Sequence, residues 1–272
     1  MSNKNKKIKI SVISAHHFAK LIFRSLLLLF STAVYIINRL GATGETFGGM
    51  EDNALGVGAI WLVFFVEILL RFFPSRTESM GAEKQFKRNY LPTGESVCVN
   101  QSGWRTFFAL ISWLALNGIF GALYLSGIFD AGIMVLISLA YAVCDMICIL
   151  FFCPFQTWIM KNKCCNTCRI YNWDYAMMAT PLVFVKNPFA VSMVVCSLLL
   201  VLRWEISYRL FPERFSEATN CNLHCSHCKE KLCQHKSQLR SFLRKNGNRL
   251  RLRGNAFVTG VKSTAEKIRK NK

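Results

Sequence analysis

Acidic side chains are scarce in this chain. Its 272 residues hold 15 Asp and Glu against 34 Lys and Arg, for a formal net charge of +19. A Walker loop, a Rossmann glycine pattern and a serine-nucleophile elbow are all missing, which removes the commonest nucleotide-binding and serine-hydrolase sites. What is abundant is apolar: 52% hydrophobic residues and 13% aromatics, too much for an intrinsically disordered chain. These residues are not spread as in a soluble globule. They gather in runs of roughly 17 to 23 residues, long enough for a hydrocarbon core of ~30 Å, and the charges lie between the runs. The expectation is an all-α, polytopic integral membrane helical bundle.

The basic residues orient the runs. Lys4, Lys6, Lys7, Lys9 and Lys20 precede or begin the first run, Phe18 to Leu40. Its apolar core exceeds the ~7–15 residues of a secretory signal, and no clear small-residue cleavage site follows at the right distance, so it reads as a retained span with its N-terminus inside. The loop after it has Glu45, Glu51 and Asp52 but no Lys or Arg between Gly41 and Gly58, and belongs outside. Val57 to Phe73, Arg105 to Gly127 and Ala131 to Cys153 are the next spans, with basic loops 74–104 and 154–171 inside and a turn carrying only Asp130 outside. Tyr175 to Val185 is short for a crossing at 1.5 Å per residue, and Lys186-Asn187-Pro188 then reads as a turn before the span Phe189 to Leu210. A hairpin of a short and a full helix gives about six transmembrane helices. Five helices plus a re-entrant segment are the alternative. The organisation is then a basic cytoplasmic N-terminus at 1–17, a transmembrane domain at 18–210 with a cysteine-rich cytoplasmic loop at 153–174, a cysteine-rich segment at 211–235 and a basic tail at 236–272. The expected location is the cell membrane, multi-pass, with both termini cytoplasmic.

Between Lys229 and Lys272 there are 14 Lys or Arg against Glu230 and Glu266. Arg240, Arg244, Lys245, Arg249, Arg251 and Arg253 are candidates for holding anionic lipid headgroups, at about 1 kcal/mol per residue near the surface. Leu239, Phe242, Leu243, Leu250 and Leu252 would dip into the interface beside them. A solvated tail that only fixes topology is the plainer reading of the same charge. Nucleic acid is a weaker partner for it, because anionic lipid already lies next to the tail.

Twelve cysteines are present, and the acidic outer loops hold none of them. On this topology they sit on the reducing side or in the spans, where thiolate ligands or redox chemistry are expected rather than disulfides. One group is Cys153 with Cys164, Cys165 and Cys168. The other is Cys221, Cys225 and Cys228 with Cys233. Two or three intervening residues let one turn aim several sulfurs at a single centre, which suits an Fe–S cluster or zinc. Cys221, Cys225 and Cys228 are expected to share one centre, with a fourth ligand from Cys233 or from the first group. Cys98 and Cys196 read as small apolar residues.

Cys221-Asn222-Leu223-His224-Cys225-Ser226-His227-Cys228 resembles the Cys-x-x-x-Cys-x-x-Cys motif of radical S-adenosylmethionine enzymes. That resemblance implies three thiolates on a 4Fe–4S cluster. The family's long barrel after the motif has no counterpart in the 44 residues that follow Cys228, so the resemblance concerns the ligand geometry and not the reaction. Cys148 to Gln156, Cys-Ile-Leu-Phe-Phe-Cys-Pro-Phe-Gln, is similar to the Cys-x-x-x-Cys-Pro stretch of polytopic ferredoxin-type subunits that carry electrons between quinols and 4Fe–4S centres. Here four residues rather than three separate Cys148 from Cys153, and tandem ferredoxin repeats are absent.

Ionisable residues inside spans are costly and therefore functional candidates. Glu67 and Asp145 are two of these, with Cys144 and Cys148 on the helix of Asp145, and together they are a candidate intramembrane path for protons, a quinone or a metal ion. The plainer alternative is interhelical hydrogen bonding, or a Glu67–Arg71 pair at i,i+4. Arg24, Arg203, Glu205 and Arg209 read as snorkelling anchors. Tyr171, Trp173 and Tyr175 around Asp174 read as an interfacial aromatic belt, and His16 and His17 as interfacial. The leading expectation is a membrane redox component with a cytoplasmic 4Fe–4S cluster, working with a redox partner protein or quinone. A zinc-stabilised scaffold and a soft-metal transport or handling protein are the alternatives.

Overall fold

A computed structural model describes residues 12–41, 54–73, 80–95, 103–162 and 164–227. Among them the chain is all helical, with no strand and a single isolated bridge between Pro92 and Asn220. Helix α1 runs Val12–Leu40, α2 Ala54–Phe72, α3 Met80–Gln85, α4 Gly103–Leu125, α5 Ala131–Leu150, α6 Asp174–Ala179 and α7 Pro188–Leu210. Four of these, α1, α4, α5 and α7, contain stretches long and apolar enough to cross a membrane. α2 is a 19-residue helix with one acid and one base, and it lies against α7.

The helix ends follow local chemistry. Asp130 caps α5, its carboxylate accepting from Ile133 N at 2.8 Å. Asn187 caps α7 in the same way, from Phe189 N at 2.8 Å, with Pro188 at the first helical position where its missing N–H costs nothing. α4 ends at Leu125 and the chain turns at Gly127, whose φ of 76° is open to glycine at little cost. The N–H groups of Ile128 and Phe129 then return to Leu123 O, each at 3.1 Å.

The outward faces remain apolar. Leu26, Leu29, Ile37, Ile119, Leu198 and Leu202 are all more than half exposed, the pattern of helices whose outer surface meets lipid rather than water. Aliphatic and aromatic residues fill the inside, where Ile68, Ala142, Tyr175, Met178, Leu200, Trp204 and Phe215 form the largest buried cluster among the described residues.

The short segment 169–184 is the unusual element. It is a tight helical turn at Arg169–Trp173, then α6, then another tight turn at Thr180–Phe184. A 3₁₀ turn rises ~2.0 Å per residue against 1.5 Å in an α-helix, so this mixture reaches further than its length implies. Asp174 pairs with Arg71 near the C-terminal end of α2. Trp113 Nε1 donates to Thr180 Oγ1 at 3.2 Å. Phe184 lies against Gly121 and, ring to ring, 5.8 Å from Tyr124 in the last turns of α4. The segment is interior, with Asp174, Tyr175, Met178, Ala179 and Pro181 buried.

Candidate functional site

The centre of the bundle is charged. Arg24, only 3% exposed, sits in the middle of α1 and reaches two other helices. Its Nη2 is 2.7 Å from Glu67 Oε2, and its Nη1 is 3.2 Å from Asp145 Oδ2 and 3.0 Å from Ala142 O. Lys20 Nζ adds a second cation, 3.3 Å from Glu67 Oε1, and the Tyr175 hydroxyl donates to Glu67 Oε2 at 3.1 Å. Beside this, Arg71 pairs with the buried carboxylate of Asp174 and lies between the rings of Tyr171 and Tyr175, 5.3 Å from each centroid. Asp174 Oδ1 also accepts from Tyr175 N at 2.9 Å. Lys20, Arg24 and Arg71 thus face Glu67, Asp145 and Asp174, a charge-balanced set. Balance is what makes it tolerable, because an unpaired charge inside a bundle costs several kcal/mol.

Several expectations are corrected here. Arg24 does not snorkel: it is buried, because Glu67 and Asp145 offer it better partners than the membrane surface. Glu67 pairs with Arg24 and Lys20, not with Arg71 one turn along its own helix. His17 is buried rather than interfacial, and its Nδ1 has no hydrogen-bond partner. The aromatic belt resolves into specific contacts, with Tyr171 and Tyr175 on Arg71 and Trp173 Nε1 donating to Glu205 Oε1 at 2.9 Å. Glu205 in turn holds Arg169 at 2.5 Å. Arg203 donates to Phe72 O and lies over the rings of Phe72 and Phe86.

Two cavities flank the charged set. One, of about 130 Å³, is lined by Cys144, Cys148, Cys153, Cys165 and Cys168, by Met177 and Met178, and by Asp145 and Asp174. The end of α5 and the loop after it build this chamber. Cys148 and Cys153 both line it. Cys153 Sγ receives Gln156 N at 3.4 Å, while Gln156 Oε1 accepts from Cys165 Sγ at 2.8 Å. Burial pushes the Cys168 thiol up to about 12, so it is inert at neutral pH. The other cavity, of about 420 Å³, is lined by Trp61, Phe64, Tyr175, Met178, Lys186 and Met193 among others. Met178 therefore lines both, and its Sδ is 3.8 Å from Arg24 Nη1.

The second cysteine group lies elsewhere. Asn220 is fully buried, and its Nδ2 donates to Lys84 O at 3.0 Å and Arg214 O at 2.9 Å. Cys221 N donates to Leu91 O at 2.8 Å, and Asn222 Nδ2 donates to Asn89 O at 2.5 Å. The segment 80–93 thus carries Cys221–His227 on one part of its length, while α3 packs against the Cys165–Thr167 turn. Cys221 Sγ is 3.6 Å from His227 Nδ1, and Cys225 is exposed. Cys164 is half-buried and does not line the chamber. Among the described residues, no three His, Cys, Asp or Glu side chains are close enough together to hold a metal ion as they stand. Cys98, Cys228, Cys233 and the basic positions Arg240, Arg244, Lys245, Arg249, Arg251 and Arg253 lie outside the described residues.

Sequence reading missed Arg24, Arg71 and Asp174 as site members, and Met177, Met178 and Met193 altogether. A signal existed for Arg24, a cation that is the fourth residue of the apolar run Leu21 to Ile37. None existed for the methionines, which are ordinary core residues in a linear pattern. No family model, curated protein or solved structure matches the chain.

Proposed function

We propose that this chain crosses the membrane six times, with both termini and both cysteine groups on the cytoplasmic side, and moves a soft cation such as Cu(I) between the two cavities. The single observation that carries the reading is the sulfur lining: Met193 and Met178 in one cavity, then Met178, Met177 and the five cysteines in the other. Thioethers and thiols select soft cations over Mg²⁺ or Ca²⁺. The sixth crossing is supported by segment 169–184, which is anchored to Arg71 near the end of α2 and to Tyr124 near the end of α4. The sides follow from the positive-inside rule.

In this arrangement Arg24 is the closed gate. Its guanidinium lies on Met178, which lines both cavities, and a second cation is repelled from that point. Glu67 and Asp145 hold Arg24 there. Passage requires Arg24 to leave Asp145, whose carboxylate then partners the passing cation.

Anaerobic purification followed by metal analysis tests the reading. Colourless protein that takes up Cu(I) or Ag(I), and loses it on Cys148→Ser or Cys153→Ser, supports it. Brown protein with iron and sulfide would replace soft-cation transport by electron transfer through a 4Fe–4S centre. A separate structural zinc in the second group is favoured by the approach of His227 to Cys221, and zinc that survives Cys148→Ser would report it.

A further inference from the structure

A third cavity, of about 660 Å³, shares no lining residue with the other two and lies where α4 begins and α7 ends. Phe107 and Leu110 line it from α4, and Glu205, Tyr208 and Arg209 from α7. The turn at Arg169–Trp173 adds the side chains of those two residues. The polar part is held firmly. Glu205 Oε2 is 2.5 Å from Arg169 Nη2 and its Oε1 is 3.3 Å from Arg169 Nε, a two-point pair along one edge of the guanidinium. Trp173 Nε1 donates to the same Oε1 at 2.9 Å, and the guanidinium lies over the Tyr208 ring, 4.4 Å from its centroid. A planar cation fixed on one edge and one face is set in place before any ligand arrives. The only acid in the lining is thereby matched to Arg169, and Arg209, exposed in the last turn of α7, is the cation in excess. The other part is apolar. Phe107 and Leu110 are exposed, and the same face of α4 continues with Ile111 and Leu114, also exposed.

We propose that this cavity binds a phospholipid of net negative charge. The phosphate sits against Arg209 and Arg169, and an acyl chain lies along Phe107, Leu110, Ile111 and Leu114. Cations at the end of an apolar helix, beside exposed apolar surface, complement a ligand with an anionic head and a hydrocarbon tail. A soluble phosphate would use the arginines and leave Phe107 and Leu110 without a partner. A zwitterionic lipid would bring its own cation to a lining that already has one in excess. The volume falls in the ~300–1,000 Å³ range of small-ligand sites. Arg169 and Trp173 belong to segment 169–184, so a lipid held here steadies the segment that carries Asp174 and Met178. That the lipid comes from the inner leaflet rests on the proposed topology. The site itself rests on α4 and α7 being long and apolar enough to lie in lipid, and not on cation transport.

The test is photolabelling of the full chain in phosphatidylcholine vesicles, without added metal. The probes are phosphatidylglycerol and phosphatidylcholine carrying the same diazirine-bearing acyl chain, and mass spectrometry locates the adducts. The ratio of phosphatidylglycerol to phosphatidylcholine labelling should be about tenfold higher at residues 107–114 than at Leu26 and Leu29, which face outward on α1. Arg209→Gln should bring the ratio at 107–114 down to the α1 value while labelling of Leu26 and Leu29 stays as in the wild type, which reports an intact fold. Arg240→Gln and Arg244→Gln in the tail should leave it unchanged. Excess unlabelled phosphatidylglycerol should compete, and inorganic phosphate should not. Equal ratios at the two places overturn the proposal, as does a ratio that follows the tail variants and ignores Arg209→Gln. Competition by inorganic phosphate also overturns it, in favour of a soluble anion. None of these results touches the transport reading, which is judged by metal uptake.

Discussion

The two cysteine regions solve opposite problems. Residues 144–168 scatter their thiols over a helix, a turn and a loop, yet bring five of them to the lining of one cavity braced by ion pairs. Residues 221–227 keep their cysteines close in sequence, yet Cys225 is exposed and the segment is held by its asparagines rather than its sulfurs. Close spacing is therefore a statement about the loop, while convergence is a statement about the fold. The proposed chemistry follows the second.

The sharpest way to break this contrast is to unbalance the bundle. Arg71→Leu strands the buried Asp174 carboxylate, and Arg24→Leu strands Glu67 and Asp145. Each should cost about 3–5 kcal/mol and lower the unfolding temperature in detergent, with Cys148 and Cys153 becoming open to alkylation. The 221–227 segment should keep its protease resistance in both. A smaller loss, roughly 1–3 kcal/mol, is expected for Asn220→Ala, which leaves Lys84 O and Arg214 O without their buried donor. Its effect should be the reverse: faster hydrogen exchange at 220–227 with the chamber thiols unchanged.

Gly121→Ala comes next. A Cβ there collides with the Phe184 ring, so the end of segment 169–184 must shift, at about 1–3 kcal/mol. Loss of stability beyond that range would mean the segment is more rigidly fixed than its short turns imply. The smallest effect is kinetic. At pH 8, Cys225 should alkylate quickly and Cys168 slowly, because burial holds the Cys168 thiol protonated up to about 12. Its rate should keep rising with pH toward that value, while a rate already level above pH 9 would contradict the burial argument.

Much of this was legible in the sequence. Apolar length located the long helices: α1, α2, α4, α5 and α7 fall on the runs that length selects, and four of them, α1, α4, α5 and α7, are long and apolar enough to cross a membrane. Glu67 and Asp145 stood out because an acid inside an apolar run needs a reason. Arg24 carried the same signal, but its pairing with them did not show, since it lies 43 residues from Glu67 and 121 from Asp145, and no local pattern encodes such a pairing. Segment 169–184 was ambiguous for a physical reason: its reach depends on 3₁₀ turns, which composition does not reveal. The chamber was half legible, because Cys153, Cys165 and Cys168 were grouped by proximity, but Cys144, Cys148 and the methionines join them only when α5 and α6 pack.

The most direct test of the central claim is Ag(I) uptake into proteoliposomes holding the reduced protein, read by a silver-sensitive dye inside. The account predicts uptake that Met178→Leu lowers by about tenfold while the variant keeps its fold, because the sulfur that lines both cavities is removed without a change of volume. Uptake by Met178→Leu equal to the wild type, or no uptake by the wild type above empty vesicles, would contradict it.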